Sequence, residues 1–227
     1  GTLNEIVNGA AGFPNAAVTH FAGGSGNDFV KIFTQTEPFR DINALLDEPV
    51  TEDFDLIRCG KDLAVNVCSV GFDARIGTDV AKYKKIPFVK GFGAYALSAV
   101  ETTVKRMKEH YIVRINGEGI DGSETLILAA NGRYYGGGFH PVPDADPQDG
   151  KLDVLLVKGV SRGKVLEVIG KYKDGRYADF PDLIRHLRAD RLSIQCDDVT
   201  PVNLDGELRL RKNVDIEVAE EKLRFFH

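Results

Sequence analysis

The sequence predicts an α/β fragment at the front of the chain, followed by a mainly antiparallel β-sandwich domain with inserted helices. Three observations lead there. The first forty residues carry a helix-spaced run, a β-leaning run and a glycine-rich turn in succession, the parts of an open α/β layer. From about Phe54 onward, short apolar or alternating runs recur between Asn-Gly and Asp-Gly turns. Helical patterning interrupts them at only a few places, and many antiparallel strands with few helices make a sandwich.

The elements follow in order. Leu3 to Ala11 reads as a helix, with Leu3, Ile6 and Val7 on one face and Gly12 to end it. Ala16 to Phe21 leans towards strand and empties into Gly23-Gly24-Ser25-Gly26-Asn27-Asp28, after which Phe29, Ile32 and Phe33 repeat at helical spacing. Phe54 to Cys59 and Leu63 to Val70 are strand-like and joined by the turn Gly60-Lys61-Asp62. A helical stretch runs from about Ala74 to Met107, broken near Pro87 and Gly91. Then come strands at Tyr111 to Ile115, Glu124 to Asn131, Leu152 to Val157 and Leu192 to Cys196, with helical patterning at Arg162 to Lys171 and Phe180 to Leu187. Residues 1–39 form the first unit and 40–212 the sandwich.

Composition narrows the function. A chain of 227 residues buries well over half of its unfolded surface without disulfides or metal. A net charge of −5, from 29 Lys and Arg against 34 Asp and Glu, argues against a nucleic-acid partner. Cys59, Cys68 and Cys196 make no C-x-x-C pair, and no two histidines stand three or four residues apart, so a zinc site has no local support. Reduced cytosolic thiols suit this cysteine pattern. No stretch approaches the roughly 20 apolar residues of a membrane span, and nothing at the start resembles a signal peptide. Gly1-Thr2-Leu3-Asn4-Glu5 reads as the middle of a longer motif, so an N-terminal truncation is expected.

Four constellations carry possible chemistry. In Gly23 to Phe29, glycines let backbone N–H groups converge on an anion ahead of a helix, and Ser25 adds a donor; the alternative is a glycine turn capping a helix. The lipase elbow, P-loop and dinucleotide fingerprints all fail at this spacing. Asn131 to Gly138 is followed by Asp144, Asp146 and Asp149-Gly150, a turn able to hold one hard cation or simply a solvated acidic loop; an EF-hand fails because Gln148 and Leu155 stand at ligand positions. In Asn203-Leu204-Asp205-Gly206-Glu207, Asp-Gly makes a hairpin turn, and Glu207 beyond it has the chemistry of a general base. Finally, Asp55 in the apolar run Phe54-Asp55-Leu56-Ile57 needs a partner, because a buried lone carboxylate is costly.

In this order, the segments resemble the diacylglycerol kinase catalytic family, which includes bacterial lipid kinases, sphingosine and ceramide kinases and, more distantly, NAD kinases. Gly1 to Gly9 is similar to the second half of G-G-D-G-T-x-N-E-V-x-N-G, and Gly24 to Phe29 resembles G-T/S-x-N-D-F. Gly136 to Gly138, Pro141 and Asp149 to Asp153 resemble G-G-G…P…D-G-x-L-D, and Leu204 to Glu207 resembles V-D-G-E. Two departures stand out: Ala22 replaces the usual Pro, and the leading Gly-Gly-Asp is absent.

The resemblance implies that residues 1–39 are the end of a nucleotide-binding α/β domain, that the sandwich binds lipid, and that residues 213–227 return to the first domain. It implies ATP phosphates at Gly1, Thr2, Asn4, Glu5, Gly24 and Ser25, with Asn27 and Asp28 beside them. Glu207 is then the base for a lipid hydroxyl, with Asp205 holding it. A structural Mg²⁺ falls on Asp149, assisted by carbonyls of Asp146 and Lys151, with Asp55 reaching it through water. The expected substrate is diacylglycerol, ceramide or a related lipid, met by a cytoplasmic protein peripheral to the inner face of the membrane. Ile86 to Leu97 and Lys82, Lys84, Lys85 and Lys90 are candidates for that contact. Two other readings stay open: a kinase of a soluble substrate, and a non-catalytic lipid-binding domain. Whether two copies form a homodimer is open as well.

Overall fold

A computed structural model of the chain describes residues 1–75 and 109–227. Nine strands dominate them: β1 (Thr51–Cys59), β2 (Asp62–Ala64), β3 (Val67–Gly71), β4 (Glu109–Ile115), β5 (Glu118–Ala130), β6 (Leu152–Lys158), β7 (Ile184–Ala189), β8 (Arg191–Leu204) and β9 (Glu207–Phe226). Every strand pair is antiparallel. The order is β2-β1-β9-β8-β3-β5-β6-β7, and β4 also pairs with β5 and β8.

Strand length explains that branching. β5 has 13 residues and β8 has 14, roughly 45 Å of extended chain at about 3.4 Å per residue. Two short strands therefore fit end to end between them. β3 pairs with Val202–Leu204 and Leu126–Ala130, while β4 pairs with Leu192–Cys196 and residues 118–124. The expected turns close the hairpins: Asn116 and Gly117 have φ of 52° and 78°, and Asp205 and Gly206 have 53° and 95°, the left-handed pairs that suit two-residue loops.

Burial follows from two layers meeting one sheet. Along β5, Ile127 and Ala129 face the main core, whereas Leu126, Leu128 and Ala130 face a second core on the other side. That side is covered by helix α3 (Arg162–Lys173), through Val168 and Tyr172. Burial on both faces is why the end of this strand is apolar without alternation.

The expected α/β layer at the front is not formed. Helix α1 (Thr2–Ala10) is present, but the run Ala16 to Phe21 makes only an isolated bridge, Val18 with Phe225. The helical spacing after Asp28 gives a single 3₁₀ turn, Phe29–Ile32. Aromatic packing accounts for this: Phe29 sits edge-on to Phe54 and Phe225 at 5.5 and 5.0 Å, and Phe33 stacks on Phe225 at 5.7 Å. The front of the chain thus wraps the β1–β9 face, with a short helix α2 (Ile42–Leu46) adding Leu45 to the same core. β9 runs unbroken through residues 212 and 213.

The expected helix Phe180 to Leu187 is also corrected: the chain makes a 3₁₀ turn at Tyr177–Asp179 and then β7, paired to β6. Its apolar spacing mimicked a helix, but Ile184 and Leu187 belong to opposite cores, as an odd separation on a strand requires. Most of the expected helical stretch Ala74 to Met107, with its lysines and Ile86 to Leu97, lies outside the described residues. Among the described residues no helix is long and apolar enough to cross a membrane.

Candidate functional site

Three clusters of the expected residues form, and one loop touches all of them. The first is the β8–β9 turn. Asp205 takes a left-handed backbone and its carboxylate accepts the N–H groups of Val65, Asn66 and Val67 at 2.5, 2.9 and 3.0 Å. Asn4 Nδ2 donates to it at 3.4 Å and to Leu63 O at 2.8 Å. Burial pushes the Asp205 carboxyl above the ordinary carboxylate range, against the pull of those backbone donors. Asp205 therefore fastens α1 and the bend before β3 to the turn. Glu207, partly exposed, lies beside the start of α1, with Oε1 2.5 Å from Gly1 N across 206 residues of sequence. On the first turn of α1, Thr2 and Glu5 are exposed.

The second cluster is the glycine loop. Asn27 shapes it: Oδ1 accepts Gly24 N at 3.0 Å, and Nδ2 donates to Gly24 O and Ala22 O at 2.8 and 3.2 Å. Ser25 stays exposed at the tip. Asp28 points the other way, accepting Gly137 N at 2.8 Å and Lys31 Nζ at 2.6 Å.

The third is the acidic turn. Asp55 is buried on β1, where Oδ2 accepts Gly150 N at 2.8 Å and Oδ1 pairs with Lys222 of β9. Asp149 pairs with Arg188, and its Oδ1 accepts Lys151 N at 2.9 Å. Asp146 is spent on Gln148 N at 3.0 Å. Asp55 does reach the Asp149–Lys151 turn, but ammonium and guanidinium groups match both carboxylates. Among the described residues no group of three or more His, Cys, Asp or Glu converges as a metal cluster. As arranged, these residues do not fit a divalent cation, since one would have to displace Arg188 or Lys222.

The shared loop is Asn131 to His140. Buried Asn131 donates through Nδ2 to Asp55 O and Val65 O, both at 2.8 Å. The N–H groups of Asn131 and Gly132 both reach Asn66 O, at 2.8 and 2.9 Å. A Cβ on Gly132 would stand 2.5 Å from Asn66 Oδ1, so any side chain there requires Asn66 to move. Arg133 Nε holds Ala145 O at 2.9 Å, Tyr134 lies under Lys31, and Gly137 meets Asp28. Sequence reasoning included Asn131 in a constellation without giving its side chain a role, and it missed Asn66 and Lys31; Asn66 sits inside an apolar strand run with nothing to mark it.

An apolar recess adjoins this loop beneath α3. Leu126, Tyr135, Phe139, Val168, Tyr172 and Ile184 line about 60 Å³ of free space, with Lys164 and Asp73 as its charged members. A pocket for a whole small molecule is usually about 300–1,000 Å³, so this recess is smaller than such a site.

Residues 66–227 match the family described as the YegS C-terminal NAD kinase beta sandwich-like domain. A Staphylococcus carnosus (strain TM300) protein named "Putative lipid kinase" is 25% identical over 229 residues, covering 100% of this chain and 74% of that protein. A Staphylococcus aureus (strain Mu3) protein of the same name is 26% identical over 225 residues, covering 99% and 73%. Among solved structures, one titled "a putative diacylglycerol kinase from Bacillus anthracis str. Sterne" superposes with a TM-score of 0.74 at 22% identity, over 96% of this chain and 71% of that one. A second from that strain, titled as a diacylglycerol kinase, gives 0.68 at 18% identity, over 99% and 72%.

Proposed function

The chain belongs to the YegS C-terminal NAD kinase beta sandwich-like family, within the diacylglycerol-kinase-like lipid kinases, and we propose that it transfers the γ-phosphate of ATP to a lipid hydroxyl. The observation that carries this reading is the Asn131–His140 loop, which hydrogen-bonds directly to Asp28 of the glycine loop and to Asp55, and reaches the Glu207 turn through Val65 and Asn66. Phosphoryl transfer asks mainly for positioning and charge stabilisation. In this reading the phosphates lie against Gly24, exposed Ser25 and the first turn of α1, at Gly1, Thr2, Asn4 and Glu5.

Glu207 is the base. It takes the proton of the lipid hydroxyl as that oxygen bonds to the γ-phosphorus and the bond to the leaving ADP breaks. Asp205 does not meet the reactants; its buried carboxylate fixes the turn that presents Glu207. Mg²⁺ carried with the nucleotide supplies neutralisation of the triphosphate charge. No step is assigned to a cation on Asp149, since Arg188 and Lys222 hold that turn. The recess under α3 takes the end of an acyl chain. Such an enzyme works in the cytoplasm, against the inner face of a membrane where ATP and lipid meet.

The test is transfer of labelled phosphate from ATP to diacylglycerol or ceramide in mixed micelles, compared with a soluble nucleotide acceptor. Glu207→Gln is expected to lower turnover by about 10²–10⁴ with an unchanged melting temperature. Equal turnover by the folded variant removes Glu207 as the base. Turnover only with the soluble acceptor replaces lipid as the substrate.

A further inference from the structure

The glycine loop and the glycine triplet Gly136-Gly137-Gly138 are more than a hundred residues apart in sequence, yet they touch. A Cβ built on Gly26 would stand 3.5 Å from Gly137 Cα and 3.3 Å from Asp28 Oδ2. All three triplet residues have positive φ, 62°, 81° and 147°, conformations that only glycine takes without strain. Between the loops lies Asp28, one oxygen on Gly137 N–H and the other on Lys31. Its side chain is 14% exposed. Lys31 is placed in turn by the ring of Tyr134, 5.6 Å from its ammonium, and Tyr134 stacks flat on His140 at 4.0 Å.

From this contact we propose that Asp28 is a positioning residue: its carboxylate latches the glycine triplet onto the Ser25 loop, so that the two glycine loops form one cradle for a triphosphate. The nucleotide half of this statement rests on the kinase reading; the latch does not. A carboxylate with both oxygens engaged by Gly137 N–H and Lys31 is poorly placed to ligate a metal or a substrate. It is well placed to hold two backbone segments in fixed register. Lys31 balances its charge, so that the latch adds no net negative charge beside the phosphates.

Asparagine separates the two roles. Asp28→Asn keeps an oxygen that can accept Gly137 N–H, whereas Asp28→Ala keeps nothing. A carboxylate that binds metal or takes part in chemistry is not replaced by an amide.

The experiment uses the chain free of ligand and then with MgATP. Amide hydrogen exchange is followed at Gly136 to Phe139 in wild type, Asp28→Asn and Asp28→Ala, and MgATP affinity is measured by calorimetry. The latch requires that exchange at Gly137 accelerate about tenfold or more in Asp28→Ala while Asp28→Asn stays near wild type, since Ala removes a hydrogen bond to a charged acceptor. MgATP affinity and kcat/KM then fall in the same order, by up to about 10²-fold in Asp28→Ala, with Asp28→Asn retaining most of both. Unchanged Gly137 exchange in a folded Asp28→Ala overturns the latch. Equal losses of activity in the two variants, with Gly137 protected in Asp28→Asn, overturn the positioning role in favour of a direct one. A wild type that binds no MgATP overturns the cradle and the kinase reading together, and the exchange measurement still decides the latch.

Discussion

Asp205 and Asn66 are 139 residues apart in sequence and joined by a hydrogen bond of 2.9 Å from backbone N–H to carboxylate. The same Asn66 offers its carbonyl to Asn131 and Gly132. The turn that presents Glu207 is thereby locked to the loop that meets the other two clusters, through one backbone position.

That lock predicts a stability cost from truncation. Asp205→Ala leaves the N–H groups of Val65, Asn66 and Val67 without their acceptor, and each unmet buried donor costs about 1–3 kcal/mol. Allowing for entering water, the variant should lose about 2–5 kcal/mol in urea unfolding. A loss below half a kilocalorie would show that Asp205 does not hold the bend.

The pairing of Lys222 with buried Asp55 predicts a second cost. Lys222→Met leaves Asp55 with Gly150 N–H but no cation, and breaking a buried pair on one side costs about 3–5 kcal/mol; the exposure of Lys222 places this case at or below the lower end. Unfolding with and without added Mg²⁺ adds the decisive comparison. Mg²⁺ should leave the wild type unchanged, because Arg188 and Lys222 already match the acids. A large Mg²⁺ stabilisation of the wild type would return the cation to Asp149.

Two histidines should titrate in opposite directions. His110 is raised above 6.5 by its hydrogen bond to Asp121 and then by Asp197. Its contribution to stability is complete below pH 6.5 and lost as pH rises through the folded value. His140 is lowered below 6.5, first by burial and then by the Arg133 charge. Its contribution is complete above pH 6.5 and lost as pH falls towards the folded value. NMR titration of the ring protons checks this: midpoints on the same side of 6.5 would contradict the placement of one ring.

The strands and the hairpin turns were legible because their signals are local. Asn116-Gly117 and Asp205-Gly206 can close two-residue loops wherever they occur, and apolar alternation marks Tyr111 to Ile115 on any sheet. The front of the chain was misread because its fate depends on distant partners. Phe29 and Phe33 repeat at helical spacing, yet Phe54 and Phe225 decide where their rings go. Phe180 to Leu187 misled for the same reason, since its helical period is also what two opposed cores demand of one strand. At the site, order along the chain grouped the residues, but their individual duties were hidden. Nothing in the sequence says that Asp28 turns to Gly137, or that Asp149 faces Arg188.

The end-to-end seating of β3 and β4 has a consequence for how this architecture can vary. Gly71, where β3 stops, pairs with Leu126, and Glu109, where β4 starts, pairs with Glu124. The excursion from residue 72 to residue 108 leaves and re-enters at a single seam, which Arg75 and Glu109 also pair across. The register on each side of that seam is set by β5 and β8 themselves, which hold β3 and β4 independently. For an engineer, Gly71 and Glu109 are thus the two fixed margins of the seam, each anchored by its own partner on β5.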